Sequence, residues 1–387
     1  MQKKIIALAV AGLASSGAFA QANVTVYGVA DATFDIVKIN GDANNELGNT
    51  TRVSTNSSLL GFKGAENLGN GLTAVFQFES SVGFDNAGSL GATRDSYVGV
   101  SGGFGTVVLG TLTGPTRALG TALDVNAGAT GIGANNALLG KLGNNLIGTT
   151  DTSGNYAGGS TCARSTTCNS IFDTRWKNAI AYVSPSFSGL NATVAYVANE
   201  NKSLHGLTAA NTTGYDVGVK YANGPVLAAV TYNAVSVGNA ADLKISDLRV
   251  GGKFDFGPAS LRAVFDLARA DNFGGNKVTQ AVYGLGATFN VTQASKLLAQ
   301  VYVARDLKTN GSSADDTGAK LFELGVEHSL SKRTMLKASY AMVNNDSKAR
   351  YDFGINAAGI NTGTLPGGAN AIGGTVQGLS FGLRHTF

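Results

Sequence analysis

The chain has 387 residues, of which 43% are hydrophobic and 14% charged, and its formal net charge is +4. It contains 53 glycines but only 5 prolines, without a Gly-X-Y period, which excludes a collagen-like fold and favours closely packed strands. No basic stretch is interleaved with aromatic residues, so the sequence argues against a nucleic-acid partner.

The first residues predict a secretory signal peptide. Lys3 and Lys4 form a short basic start, residues 5–13 are apolar, and Ala18 and Ala20 are the small residues that a signal peptidase reads. This segment is too short and wrongly flanked for a membrane helix. We therefore expect residues 1–20 to be removed and residues 21–387 to form one domain of an exported protein.

The remaining sequence has no apolar run of the roughly 18 residues that a spanning helix needs. Instead, short runs alternate in polarity: Phe76 and Phe78, for example, share one strand face, and Gln77 and Glu79 the other. A period of two predicts strands with two different environments. The clearest runs cover residues 72–79, 190–196, 215–221, 248–256, 322–327 and 336–342.

Short turns and longer polar loops separate these runs. Seven short turns interleaved with eight longer loops predict sixteen antiparallel strands, and a barrel of that size encloses an aqueous lumen. Charged residues recur on the second strand face, and aromatic residues often end the apolar face, as in membrane barrels. The turns fall at residues 67–71, 102–105, 184–188, 223–225, 257–258, 290–292 and 329–332, and the aromatic residues include Tyr182, Tyr196, Phe256 and Phe289.

One connection, residues 114–172, is much longer than the others. It is rich in Gly, Ala, Asn and Thr, and loops of this length are usually functional or disordered. In a wide barrel it can fold inward and narrow the pore; a surface loop is the alternative. Cys162 and Cys168 lie within it and, in an exported chain, predict a disulfide, whereas a zinc site would lack further ligands nearby.

Several blocks resemble Gram-negative general porins, notably those of beta-proteobacteria, and they span essentially the whole mature chain. Residues 24–31 resemble the opening strand of that family, and residues 60–72 its second strand, first periplasmic turn and third strand. Residues 94–110 are similar to the fourth and fifth strands, residues 184–190 to a later turn, and residues 378–387 to the closing strand with its terminal aromatic residue.

The resemblance implies an all-β, sixteen-stranded transmembrane barrel whose third extracellular loop lies in the lumen. It further implies a homotrimer in the outer membrane of a Gram-negative bacterium, in contact with outer-membrane lipid and lipopolysaccharide. In this family, lumen arginines face acidic groups on the inward loop. Arg175 matches one such arginine, but Leu59 and Thr111 occupy positions that are commonly arginine.

The predicted pore lining follows from this pattern. Lys177 lies two residues after Arg175 and so on the same predicted face, Arg117 begins the inward loop, and Asp124 is its nearest acidic candidate. Leu59, Thr111, Lys63 and Arg94, all within or beside the matched blocks, complete the lining. With two basic positions replaced, we expect at most a mild anion preference.

The sequence predicts neither an active site nor a cofactor. Its three histidines, His205, His328 and His385, stand apart from other candidate ligands, and no nucleophile elbow or phosphate loop occurs in a suitable context. We therefore expect a passive, water-filled channel for small hydrophilic solutes and ions. A solute-selective channel, a barrel enzyme and an exported adhesin are the alternatives.

Overall fold

The computed structural model describes residues 23–41, 46–83, 91, 93–144, 171–198, 211–238, 243–273, 275–353 and 372–387. The expected signal peptide and the pair Cys162 and Cys168 lie outside these residues and remain predictions. Within the described residues, no helix is both long and apolar enough to span a membrane.

The described residues form one antiparallel sheet that closes on itself. Strand β1 pairs with the last strand, from Val29 opposite Thr386 to Asn40 opposite Thr375. The nineteen segments are β1 Asn23–Asn40, β2 Leu47–Thr55, β3 Leu59–Gly69, β4 Leu72–Ser81, β5 Ser96–Gly102, β6 Gly105–Thr113, β7 Arg175–Val183, β8 Leu190–Val197, β9 Asn211–Asn223, β10 Val226–Gly238, β11 Leu243–Asp255, β12 Ala259–Phe273, β13 Asn276–Asn290, β14 Ser295–Ala304, β15 Leu307–Thr309, β16 Ser312–Ala314, β17 Ala319–Ser329, β18 Thr334–Asn345 and β19 Thr375–Thr386.

These segments occupy sixteen barrel positions, which confirms the predicted strand count. Segments β2 and β3 share one position, because both pair with β1, β3 along its first half and β2 along its second. Segments β15 and β16 pair with each other as a small hairpin, while β14 pairs directly with β17.

The connections follow the expected alternation with two exceptions. Asn70 and Gly71 make the β3–β4 turn with positive φ angles of 49° and 76°, a conformation that suits asparagine and glycine in tight hairpins. On the opposite side of the barrel, however, β12 ends at Phe273 and β13 begins at Asn276. That connection is therefore short. The connection from β10, which ends at Gly238, to β11, which begins at Leu243, is also short. The alternation of turns and loops predicts longer loops at both places, and the polar residues around Asp242 lead us to expect one at the second.

The two strand faces differ as the alternation predicts. Val194, Val250 and Leu324 remain 46%, 43% and 54% exposed on the outer face, whereas Phe76 is less exposed and half-buried. Their neighbours Arg249 and Glu323 are fully buried on the inner face. Such extensive exposed apolar surface is rare on soluble proteins and fits a wall that faces lipid.

The described part of the connection after β6 folds into the lumen, as the sequence predicts. It contains helix α1, Pro115–Leu123, and short 3-10 turns at Asn135–Ala137, Leu142–Asn144 and Ile171–Asp173. Leu123, Ile132 and Leu138 are completely buried against inner-wall residues such as Ile39 and Leu321. Burial of each such side chain stabilises the folded loop by at most about 1.5–3 kcal/mol. Together these contacts fix the loop to one side of the barrel.

Candidate functional site: the constriction of the channel

Helix α1 begins at a polar anchor on the inner wall. Pro115 occupies the first helical turn, where its missing N–H leaves no hydrogen bond unmade. The next residue, Thr116, donates its backbone N–H and its hydroxyl to Asp216 of β9, over 3.2 and 2.7 Å. Trp176 Nε1 donates to the same carboxylate at 3.2 Å. Asp216 thus joins α1 to two strands of the wall.

A second anchor lies beside the first, around Arg249 of β11. Its guanidinium is completely buried and donates to the backbone carbonyl of Thr116 at 3.0 Å. It also contacts three carboxylates: Asp266 at 2.7 Å, Asp173 at 3.0 Å and Asp247 at 3.2 Å. A buried cation with this many acceptors is satisfied, and removing it would leave uncompensated buried carboxylates.

The part of the loop that follows α1 contacts β12 and β14, which form the far wall of the barrel. Asp124 accepts hydrogen bonds from the backbone N–H groups of Asn135 and Asn126, at 2.6 and 2.8 Å. Its backbone carbonyl accepts one from Arg262 at 2.7 Å. Burial raises the pKa of the Asp124 carboxyl, and these N–H donors oppose the rise. Gln300 also contacts the loop, donating to the carbonyl of Gly133 at 2.7 Å.

A cavity of about 380 Å³ lies between the loop and the side of the barrel that carries Arg94 and Arg175, the near wall. Cationic side chains from three separate segments converge on it, and the α1 side presents small residues. The lining comprises Ser57, Arg94, Asp95, Thr113, Arg117, Ala118, Thr121, Ala122, Gly128, Ala129, Asn135, Asn136, Asp173 and Arg175.

The two wall arginines have acidic partners. Arg175 lies 3.3 Å from Asp95, and Arg94 lies 3.3 Å from Glu79. Glu79 is itself oriented by the Tyr27 hydroxyl, which donates to it at 2.8 Å. Both guanidinium groups are therefore positioned, and their charges are partly compensated.

Arg117 on α1 differs from these two arginines. Within the described part of the chain, no hydrogen bond or ion pair engages its side chain. Burial, followed by the nearby Arg175, lowers the Arg117 pKa to about 10. It therefore remains a cation at neutral pH. This guanidinium is the least compensated positive charge in the cavity.

Three of the predicted lining residues come together in this cavity, namely Arg94, Arg117 and Arg175. Lys177 does not join them, because the alternation of β7 is interrupted: Asn178 has a positive φ of 52°, and Trp176 is buried while Lys177 is exposed. The β6–β7 register shifts at the same place.

The other predicted residues also lie outside the cavity. Asp124 belongs to the loop but is only 4% exposed, because its carboxylate faces away from the cavity and contacts Gln300 of the barrel wall. Lys63 sits 5.1 Å from the ring centre of Tyr27, a cation–π contact on the wall. Leu59 pairs with Val29 and Ser81, and Thr111 with Ser96, without lining the cavity.

Sequence reasoning missed the acidic partners and the anchors. Asp95 follows Arg94 directly in a matched block and could have been selected on that ground. The alternation of the runs 215–221 and 248–256 places Asp216 and Arg249 on the polar strand face, but nothing in the local pattern indicates that the loop covers them. Among the described residues, no group of three His, Cys, Asp or Glu side chains could hold a metal ion.

Comparisons with known proteins agree with this architecture. Residues 7–348 match the family model described as Gram-negative porin. Outer membrane porin protein 32 of Delftia acidovorans is 33% identical over 396 aligned residues, with all of both chains covered. A solved anion-selective porin from Comamonas acidovorans is 27% identical and covers 95% of this chain and 100% of its own, with a TM-score of 0.75.

A more distant solved structure, OmpT of Vibrio cholerae in its trimer form, shares the fold. It is 14% identical and covers 95% of this chain and 99% of its own, with a TM-score of 0.63. The closed barrel, the inward loop and the family match lead to one conclusion. The chain belongs to the Gram-negative porin family and is a channel of the outer membrane.

Proposed function

We propose that the channel carries small hydrophilic solutes and ions by passive diffusion, with a mild anion preference set at the constriction cavity. The observation that carries this proposal is the convergence of Arg94, Arg117 and Arg175, of which Arg117 has no ion-pair partner in the described structure. A low-dielectric wall focuses the field of such charges, so one uncompensated cation can bias permeation.

Two observations support a mild rather than a strong preference. Glu79 and Asp95 compensate two of the three guanidinium charges, and two positions that are commonly basic in the family carry Leu59 and Thr111. The similar porin from Comamonas acidovorans, described as anion-selective, supports the sign of the preference.

The reversal potential in a KCl gradient across a planar bilayer tests this proposal. We expect single channels to conduct in both directions and the reversal potential to lie on the chloride side of zero. Because mobile ions screen exposed charges, with a Debye length of about 10 Å at 0.1 M salt, the preference should shrink as the salt concentration rises. A reversal potential on the potassium side would contradict the anion preference. A protein that inserts but never conducts would contradict the channel.

We further propose that the chain acts as a homotrimer embedded in outer-membrane lipid and lipopolysaccharide, without catalytic activity. The outer wall supports a lipid environment, since large apolar side chains such as Leu285 and Leu324 remain exposed there. Native mass spectrometry of detergent-extracted protein should show one dominant species of three chains. A monomer after mild extraction, together with a failure to cross-link in intact membranes, would contradict the trimer.

A further inference from the structure

Arg249 of β11 lies on the inner face of the barrel wall, covered by α1, and is completely buried. It approaches α1 closely because Gly120 has no side chain: a Cβ there would come within 2.5 Å of the Arg249 guanidinium. The Arg249 guanidinium can therefore pass α1 and contact Asp173 at the end of the inward loop. Its charge cannot act on permeating ions by contact, so Arg249 can influence selectivity only through its electric field or through the partners that it holds.

One of those partners, Asp173, belongs to both the buried cluster and the cavity. Arg249 binds it with two parallel hydrogen bonds, Nη1 to Oδ1 at 3.0 Å and Nη2 to Oδ2 at 3.3 Å. Asp173 also lines the cavity together with Arg117, and its charge attracts that arginine. A bidentate arginine–carboxylate pair fixes geometry as well as charge, so both oxygens of Asp173 are held on Arg249.

We propose that Arg249 is a positioning residue for ion selectivity, because it holds Asp173 on the buried cluster and thereby leaves Arg117 without a counter-ion. This inference rests on the proposed anion preference and names the device that maintains it. Without Arg249, the Asp173 carboxylate would be free to turn toward Arg117, the cation of the cavity that its charge already attracts. The cavity would then lose its least compensated positive charge, although no residue in contact with the solute had been changed.

Three variants separate this device from a simple change of net charge. Arg249→Met releases Asp173. The double variant R249M/D173N releases the side chain but removes its charge. The matched double variant R249M/D247N has the same formal charge, yet it leaves a charged Asp173 free to turn, because Asp247 is buried in the cluster and does not line the cavity.

The measurement is the chloride-to-potassium permeability ratio, taken from reversal potentials at low salt. We expect Arg249→Met to lower the ratio on the order of twofold, as for one unit charge acting over several ångströms of water. R249M/D173N should restore it to near the value of the unaltered protein, whereas R249M/D247N should stay low. Equal ratios for the two double variants would overturn the proposal, as would an unchanged ratio in Arg249→Met.

Heat-modifiable electrophoretic mobility verifies that each variant has folded. If Arg249→Met fails to assemble, the comparison of the two double variants still decides the matter, since each has lost one buried carboxylate along with the arginine. The ratio of the unaltered protein tests the proposed anion preference separately. The difference between the double variants tests the role of Asp173 whatever the sign of that ratio.

Discussion

At the scale of single residues, charge in the cavity depends on how each arginine is partnered. Arg175 lies at the first residue of β7, 3.3 Å from Asp95, and shares the cavity with Arg117. A carboxylate at this position would stand beside Asp95 and would compensate Arg117. The sign of the local field would then change.

We therefore expect Arg175→Glu to move the reversal potential toward the potassium side, with an open-channel size nearly unchanged. A two-charge change over several ångströms of water corresponds to roughly a severalfold fall in the chloride-to-potassium permeability ratio. The measurement is single-channel recording at 0.1 M and 1 M KCl, and the shift should be smaller at the higher salt concentration.

Lys177→Glu is the matched control for that experiment. It makes the same charge change two residues away, but Lys177 is exposed and does not line the cavity. A much smaller shift is expected. If the two variants moved the reversal potential equally, the cavity could not be the place where selectivity is set.

Lys141 illustrates how burial affects a single charge on the inward loop. It is 4% exposed, and desolvation lowers its pKa from 10.5 to about 8, although Asp173 and Asp352 work against that change. The folded-state pKa of Lys141 thus lies below its unfolded value, so the unfolded chain binds the proton more readily. The protein therefore loses stability as the pH falls from about 10.5 to 8. Below pH 8 the loss is constant.

Replacing Lys141 by methionine should remove this cost while keeping a long side chain in place. We expect Lys141→Met to be more stable than the unaltered protein at pH 7 and equally stable near pH 10.5. Urea unfolding of the detergent-solubilised protein at the two pH values measures the difference. A variant that is less stable at pH 7 would show that the ion contacts of Lys141 outweigh its desolvation.

At the scale of secondary-structure elements, α1 depends on its anchors for its position. Its nine residues include Gly120, and the helix has no side-chain cap; a helix this short is marginal in isolation. The contacts of Thr116 with Asp216 and Arg249 replace the missing cap. The helix is therefore held by the barrel wall rather than by its own sequence.

We expect Asp216→Ala to loosen α1 without unfolding the barrel. The change leaves Thr116 and Trp176 without their shared acceptor, which costs about 1–3 kcal/mol for a buried donor left unsatisfied. Open-channel current noise should rise, because the loop would sample more positions across the lumen. Single-channel noise spectra at constant voltage measure this effect.

Asp255→Ala provides the comparison, since it removes a carboxylate from β11 that is paired with Lys253 at 2.9 Å in an exposed position. Exposed ion pairs contribute little to stability, so its noise should equal that of the unaltered channel. If Asp216→Ala channels had the same open-channel current noise as the unaltered channel, the apolar contacts of the loop would suffice to hold α1.

At the scale of the whole molecule, closure of the sheet gives the wall two solvents, water inside and lipid outside. Val194 faces outward and is 46% exposed, whereas Thr193 beside it on β8 lies on the inner face. An arginine in the middle of the lipid face costs about 2–4 kcal/mol, but a lumen position tolerates charge.

Val194→Arg should therefore reduce the folded fraction on refolding into lipid vesicles, and Thr193→Arg should leave it nearly unchanged. Val250→Arg and Leu324→Arg should behave like Val194→Arg, since both side chains are exposed on the outer face. Heat-modifiable gel mobility measures the folded fraction. Normal assembly of all the outward arginine variants would mean that the strand faces have been assigned the wrong way round, because a slip of one residue exchanges them.

The barrel can be predicted from local patterns in the sequence. Alternation with a period of two, short turns such as 67–71 and 223–225, and the absence of a long apolar helix predicted sixteen strands and an inward third loop. These features can be predicted because each depends only on residues that are close together in the sequence. The same local pattern, together with the family resemblance, selected Arg94, Arg117 and Arg175, which the structure brings together in one cavity.

Which inward-facing side chains are exposed to the water of the channel depends on contacts between residues that are far apart in the sequence. Asp216 contacts Thr116 across 100 positions of sequence, and Gln300 contacts Asp124 across 176. The alternation of a strand shows that a side chain points inward, but not whether the loop covers it. For this reason Arg249 is buried under the loop, and Asp124 is buried between the loop and the wall. The bulge at Asn178, which breaks the period of two, separates Lys177 from Arg175.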